Sequence, residues 1–115
     1  MAKVQTSLAQ KKCSMEEDES LSTPLEGEAL TEILNELGGD WKLIHDHHLE
    51  KVFSFEDFNE ALAFTNQIGV LAKKEGHYPD IHLSRGVVRV VIWTHKLNGL
   101  SENDFILAAK IDLII

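Results

Sequence analysis

Apolar residues recur along this chain at two spacings, one helical and one alternating, and each switch between them marks an element. Leu30, Ile33, Leu34 and Leu37 follow at helical spacing and are closed by Gly38-Gly39. Ahead of them, Thr23-Pro24-Leu25-Glu26 has the form of a capping box with proline in the first helical position. Trp41–Ile44 and Leu49–Phe53 read as strands, joined by a turn containing His45 to His48. Ser54 and Asp57 look like the cap of a second helix running to about Glu75, with Gly76 as its stop. Its expected apolar stripe is Phe58, Ala61, Leu62, Thr65, Ile68 and Ala72.

Ile81–Ser84 and Val87–Trp93 are two further strands around Arg85-Gly86, the second rich in β-branched residues. Asn98-Gly99 marks a turn, and Ser101-Glu102-Asn103-Asp104 opens a last helix with an acid in its third position. Phe105, Ile106, Ala108, Ala109 and Leu113 give that helix a broad apolar face, suited to a subunit or partner contact. The order is αββαββα. Strands grouped as hairpins predict an α+β, two-layer fold, a four-stranded antiparallel sheet covered on one face by helices.

The first 22 residues break this pattern. Lys3, Lys11 and Lys12 are followed by the acidic run Glu16, Glu17, Asp18 and Glu19, with few large apolar groups between them. Such a segment buries too little to offset its ordering entropy, so residues 1–22 are expected to be a disordered tail and 23–115 the folded domain. With 115 residues there is room for one domain. Cys13 is the single cysteine, so no internal disulfide can form, which fits a reducing, cytoplasmic setting. The net charge of −8 opposes binding to a nucleic-acid backbone. No apolar run approaches the length of a membrane span.

Six histidines invite a metal reading, but no His-x-x-x-His helical pair is present, and His45, His47 and His48 read as a polar turn. The second hairpin is more informative. If Arg85-Gly86 is a two-residue turn, Ser84 faces Val87, Leu83 faces Val88 and Ile81 faces Val90. Continued, that register brings Tyr78 towards Trp93 and His77 towards Thr94, with Pro79 able to end the ladder early. His77 and His95 then share one end of the sheet, where two imidazoles can divide proton acceptor and donor roles. Asp104, at the start of the last helix, is a third candidate at that rim, and helix capping also accounts for it. His82 alternates with Ile81 and Leu83 and is expected to face solvent or another subunit. Tyr78 and Trp93 could stack on a flat ligand. There is no phosphate-binding loop, dinucleotide-binding glycine pattern or serine nucleophile elbow.

His77-Tyr78-Pro79-Asp80, then Thr94-His95, then Gly99-Leu100-Ser101-Glu102-Asn103-Asp104 resemble the pterin-4a-carbinolamine dehydratase family. Phe53-Ser54-Phe55-Glu56-Asp57-Phe58-Asn59 matches that family's entry from strand to helix, and Trp41 sits where it has a tryptophan. The resemblance runs from about Thr23 to Ile115. It implies dehydration of 4a-hydroxytetrahydropterin to quinonoid dihydropterin, which recycles the pterin used by an aromatic amino acid hydroxylase. It implies no metal and no bound cofactor, since the pterin is the substrate, and a homo-oligomer, dimer or tetramer. On this resemblance His77 and His95 are the acid and base and Asp104 supports them. Lys73, Tyr78, Pro79, Trp93 and Thr94 would contact substrate. Two positions depart from the family pattern: Tyr78 replaces its second histidine and Arg85 an aromatic. A tyrosine can donate a hydrogen bond but is a poor base near pH 7. The alternative function is non-catalytic, as an assembly factor or a dimerisation cofactor of another protein.

Overall fold

The computed structural model describes residues 7–14 and 23–115; the acidic run of residues 16–19 lies outside the described residues. The elements are α1 (Ser7–Gln10), α2 (Gly27–Leu37), β1 (Lys42–Ile44), β2 (His48–Ser54), α3 (Phe58–Glu75), β3 (Asp80–Ser84), β4 (Val87–Ile92), a 3-10 turn (His95–Leu97) and α4 (Glu102–Asp112). The four strands form one antiparallel sheet in the order β1-β2-β4-β3. Leu49 and Phe53 of β2 alternate with Val88, Val90 and Ile92 of β4 to make the buried face, against which the helices pack. This is the α+β architecture expected from the sequence.

Around Arg85-Gly86 the pairing is Ser84↔Val87, Leu83↔Val88 and Ile81↔Val90, as a two-residue loop requires, and the ladder ends at Asp80↔Val91, one residue after Pro79. Gly86 also lets the β2–α3 connection approach. Its carbonyl accepts the Phe55 N–H at 2.7 Å, and a Cβ there would lie 2.6 Å from the Phe55 carbonyl oxygen. Backbone on both sides cannot yield cheaply, so Gly86→Ala is expected to cost about 1–3 kcal/mol, read as a lower urea midpoint.

Helix α3 is capped as expected. Asp57 accepts the Glu60 N–H, and Gly76 closes the helix in the left-handed region. Its buried stripe is Ala61, Phe64, Ile68 and Ala72, whereas Phe58 and Leu62 are exposed. Phe64 was missing from the predicted stripe; it packs against Phe53 and Phe55 at centroid distances of 4.7 and 5.1 Å. Helix α2 does not start at the predicted capping box. Glu26 is its N-cap, because the Leu25 N–H is committed to the Leu100 carbonyl at 2.7 Å, which ties Leu25 to the loop before α4.

Two further expectations are corrected. Ser7–Ser14, placed in a disordered tail, is an ordered strap on α4, with Leu8 fully buried in the core and Cys13 buried beside it. Helix α4 does not offer a free apolar face. All residues from Asn103 to Ala109 are buried, with the strap, α2 and α3 packed against α4.

Burial first, and then the neighbouring Glu75 carboxylate, push the Cys13 thiol up to about 12. The thiol therefore stays protonated and inert in the native state. Because its folded value lies above the unfolded one of 9.0, its contribution to stability is complete below pH 9 and is lost as pH rises towards 12. Alkylation of Cys13 at pH 8 is expected to follow the opening of the strap and to speed up sharply in denaturant, measurable by mass spectrometry.

Candidate functional site

The ends of α3 and β4 meet the start of α4 at one edge of the molecule. Gly76 turns the chain out of α3, and the next residue, His77, is only 4% exposed. Its Nε2 lies 2.6 Å from Asp104 Oδ1, and Asp104 is fully buried. A carboxylate can only accept, so Nε2 carries the hydrogen and the neutral ring keeps its lone pair on Nδ1.

Asp104 is held from three sides. Its other oxygen, Oδ2, accepts the Thr94 hydroxyl at 2.7 Å and the Ser101 N–H at 2.8 Å. The second contact is half of the capping box predicted from Ser101-Glu102-Asn103-Asp104. Since Thr94 gives its hydrogen to Asp104, the 2.8 Å contact between the Thr94 and Ser101 hydroxyls runs from Ser101 to Thr94. A directed chain results, Ser101 to Thr94 to Asp104, with His77 donating from the far side. Accepting from Ser101 makes the Thr94 hydroxyl a stronger donor to the carboxylate, and the carboxylate fixes the imidazole in one tautomer. Thr94, expected among the substrate contacts, is 1% exposed and spends its hydroxyl inside this network.

Thr94 also sets the position of His95. Thr94 and Gly99 bridge the loop between them, with the Thr94 N–H donating to the Gly99 carbonyl at 2.8 Å and Asn98 taking a positive φ. His95 thus stands on a short, closed loop at the same end of the sheet as His77. It is exposed and stacks on Trp93 at 3.9 Å between centroids. Tyr78 is 63% exposed, Lys73 is exposed in the last turn of α3, and Pro79 is half-buried just before β3.

His47 also reaches this rim. Its ring lies 4.5 Å from Trp93, its Nε2 donates to Asn98 Oδ1 at 2.9 Å, and its Nδ1 is 3.0 Å from Nδ1 of His48. With Nε2 donating, neutral His47 accepts at Nδ1, so His48 is the donor of that pair. Burial first, then the facing His47, lowers the affinity of His48 for a proton below the ordinary histidine value. The sequence reading of a polar turn missed this link. The only signal available was the left-handed-tolerant Asn98-Gly99 pair, which folds back towards the first hairpin.

Trp41 lies elsewhere, buried, with its indole N–H donating to Asp112 at the far end of α4. A cleft of about 640 Å³ opens at that end, between Leu37, Lys51, Phe53, Phe55, Ala109 and Leu113 among others. None of the predicted site residues lines it. Lys51 and Asp112, which line it, are paired with each other at 2.8 Å, and the His77–Asp104 contact lies at the opposite end of α4. Among the described residues, no cluster of three or more His, Cys, Asp or Glu is placed to hold a metal ion, and no helix is long and apolar enough to cross a membrane.

The family model described as pterin 4 alpha carbinolamine dehydratase matches residues 23–114. The chain belongs to this family. A protein of Alkaliphilus metalliredigens provisionally named a pterin-4-alpha-carbinolamine dehydratase is 51% identical over 106 residues, covering 91% of this chain and 93% of its own. One of Rickettsia canadensis with the same provisional name is 46% identical over 107 residues, covering 93% and 96%. Among solved structures, a Brucella melitensis protein described as a transcriptional coactivator/pterin dehydratase superposes with a TM-score of 0.73 at 30% identity, covering 80% of this chain and 98% of its own. A pterin dehydratase-like RuBisCO assembly factor of the alpha-carboxysome shares the fold, with a TM-score of 0.58 at 21% identity, covering 68% and 92%. The resemblance read from the histidine and Gly-Leu-Ser-Glu motifs is thus confirmed at family level. Pterin carbinolamine dehydratase sequences and this chain correspond over nearly all of the domain that carries His77, His95 and Asp104.

Proposed function

We propose that this protein dehydrates 4a-hydroxytetrahydropterin to quinonoid dihydropterin, returning to use the pterin spent by an aromatic amino acid hydroxylase, in the cytoplasm. The C4a–O bond breaks and the leaving oxygen takes a proton to depart as water. The N5 proton passes to a base, and the electron pair it leaves forms the N5–C4a double bond. No net oxidation occurs. One group must donate and one must accept, which suits two imidazoles. His77 and His95 take these two roles. Asp104 keeps the His77 tautomer and offsets the charge that ring gains when protonated. Tyr78 supplies an exposed flat surface for the pterin and Trp93 backs the His95 ring that faces it, with Lys73 and Pro79 at the rim.

The observation that carries this reading is the buried His77–Asp104 pair, kept intact within a member of this family. A lone buried carboxylate is costly, and here three donors are spent on it, one of them an imidazole with a nitrogen to spare. The test is the rate of quinonoid dihydropterin formation from freshly generated 4a-hydroxytetrahydropterin. Clear acceleration by the folded protein is expected, and its absence would overturn the reading.

A non-catalytic role has support in the coactivator description of the Brucella relative. It would need no histidine pair, and failure of the rate test would favour it. A homo-oligomer fits either role. Phe58, Leu62 and Val70 lie in one i, i+4 row on α3 and are exposed. Light scattering is expected to give a dimer or tetramer, and Leu62→Glu to shift it towards monomer.

A further inference from the structure

We propose that the N-terminal strap, through Cys13, Ser14, Glu75 and Asn103, is a positioning device that keeps His77 and Asp104 in register, an inference that rests on the dehydratase reading. His77 follows the C-terminus of α3 and Asp104 sits in the first turn of α4. Their 2.6 Å contact survives only while those two helix ends stay fixed relative to each other. The strap stitches the same two ends together. The Cys13 N–H donates to Glu75 Oε1, two residues before His77, at 3.0 Å, and the Cys13 thiol lies 3.6 Å from the Asn103 carbonyl. Asn103, the neighbour of Asp104, accepts the Ser14 N–H at 2.8 Å and returns a hydrogen bond to the Ser14 carbonyl at 2.9 Å.

Both anchors are buried polar side chains, 7% and 2% exposed, and apart from the Lys110 ion pair of Glu75 their side chains serve the strap. A core position on α4 would ordinarily be filled by an apolar group. Asparagine there gains its two bonds only from a chain segment 89 residues away. Displacement of a catalytic contact by a fraction of an ångström is enough to slow a reaction without unfolding the protein.

Asn103→Leu keeps the branched shape and the number of side-chain heavy atoms and removes both bonds to the strap, while Ser14→Pro removes the donor from the strap's side. Each is expected to lower kcat about tenfold with KM nearly unchanged. The double variant is expected to be no slower than either single one, since both break the same link. Ser14→Ala keeps both main-chain bonds and is expected to behave as wild type. Nitrogen-15 NMR of the imidazoles gives a readout independent of turnover: a single Nε2–H tautomer for His77 in the wild type, and a mixture in the two strap variants. An unchanged kcat and tautomer in folded Asn103→Leu would overturn the proposal. So would a loss of kcat no larger than the loss of folded protein, or additive effects in the double variant. If the wild type does not accelerate dehydration, the functional reading fails, while the His77 tautomer still decides whether the strap positions the pair.

Discussion

Replacing His77 by glutamine is expected to slow quinonoid dihydropterin formation by about 10²–10⁴-fold in a protein that still folds. The imidazole has two duties that glutamine separates. Through Nε2 it donates to Asp104, a bond that a glutamine amide can remake, so the buried carboxylate keeps a donor. On the dehydratase reading Nδ1 would exchange a proton with substrate, which an amide cannot do near neutral pH. His77→Ala loses both, leaves Asp104 one donor short, and is expected to cost a further 1–3 kcal/mol, roughly, in stability. Stopped-flow rates beside urea midpoints separate the two effects. Recovery of wild-type rates in His77→Gln would make the residue structural and leave the acid–base role to another group.

Asp104→Asn is expected to cause a comparable loss of rate, about 10²–10⁴-fold, through the tautomer rather than through charge alone. The carboxylate accepts from three partners and has nothing to donate. An amide offers one oxygen. Turned to serve Thr94 and Ser101, it points its NH2 at His77 Nε2, where two donors would face each other. The ring escapes by moving its hydrogen to Nδ1, and the Nδ1 lone pair, which the dehydratase reading assigns to the substrate, is lost. The same variant should fold, at a cost of about 1–3 kcal/mol for the weakened network. A shift of the His77 imidazole nitrogen resonances to the Nδ1–H pattern, together with the slower rate, is the expected signature. Unchanged resonances with an unchanged rate would remove Asp104 from the mechanism.

Where the sequence could be read, the controlling interactions were local. The Arg85-Gly86 hairpin sets its own register because two residues leave one way to turn, and Ser101 to Asp104 closes a capping box within one helical turn. Asp57 and Gly76 bound α3 for the same reason. The misreadings involve partners distant in sequence. Thr23 to Glu26 has the form of a cap, but Leu100 takes the Leu25 N–H. Residues 7–14 look too polar to order, because the groups that satisfy them, Glu75 and Asn103, lie 62 and 89 positions away. His47 read as a turn residue because its contact with Trp93 depends on where a second loop folds back. The candidate pair itself was legible only as a neighbourhood: the hairpin register placed His77 near Thr94, and the structure inserts Asp104 between them.

One carboxylate, that of Asp104, both caps α4 and orients the imidazole of His77. On the dehydratase reading, a substitution here that removes the side-chain acceptor silences the chemistry and also loosens the end of the most buried helix in the domain. Neutral drift to such a residue is therefore not a free step. A descendant that abandoned turnover for a binding role would first have to acquire another cap, or another way of anchoring α4. Retention of the acid in such a lineage would then record the needs of the fold, so His95, which is exposed and lies outside the buried network, is the better tally of whether turnover is still under selection.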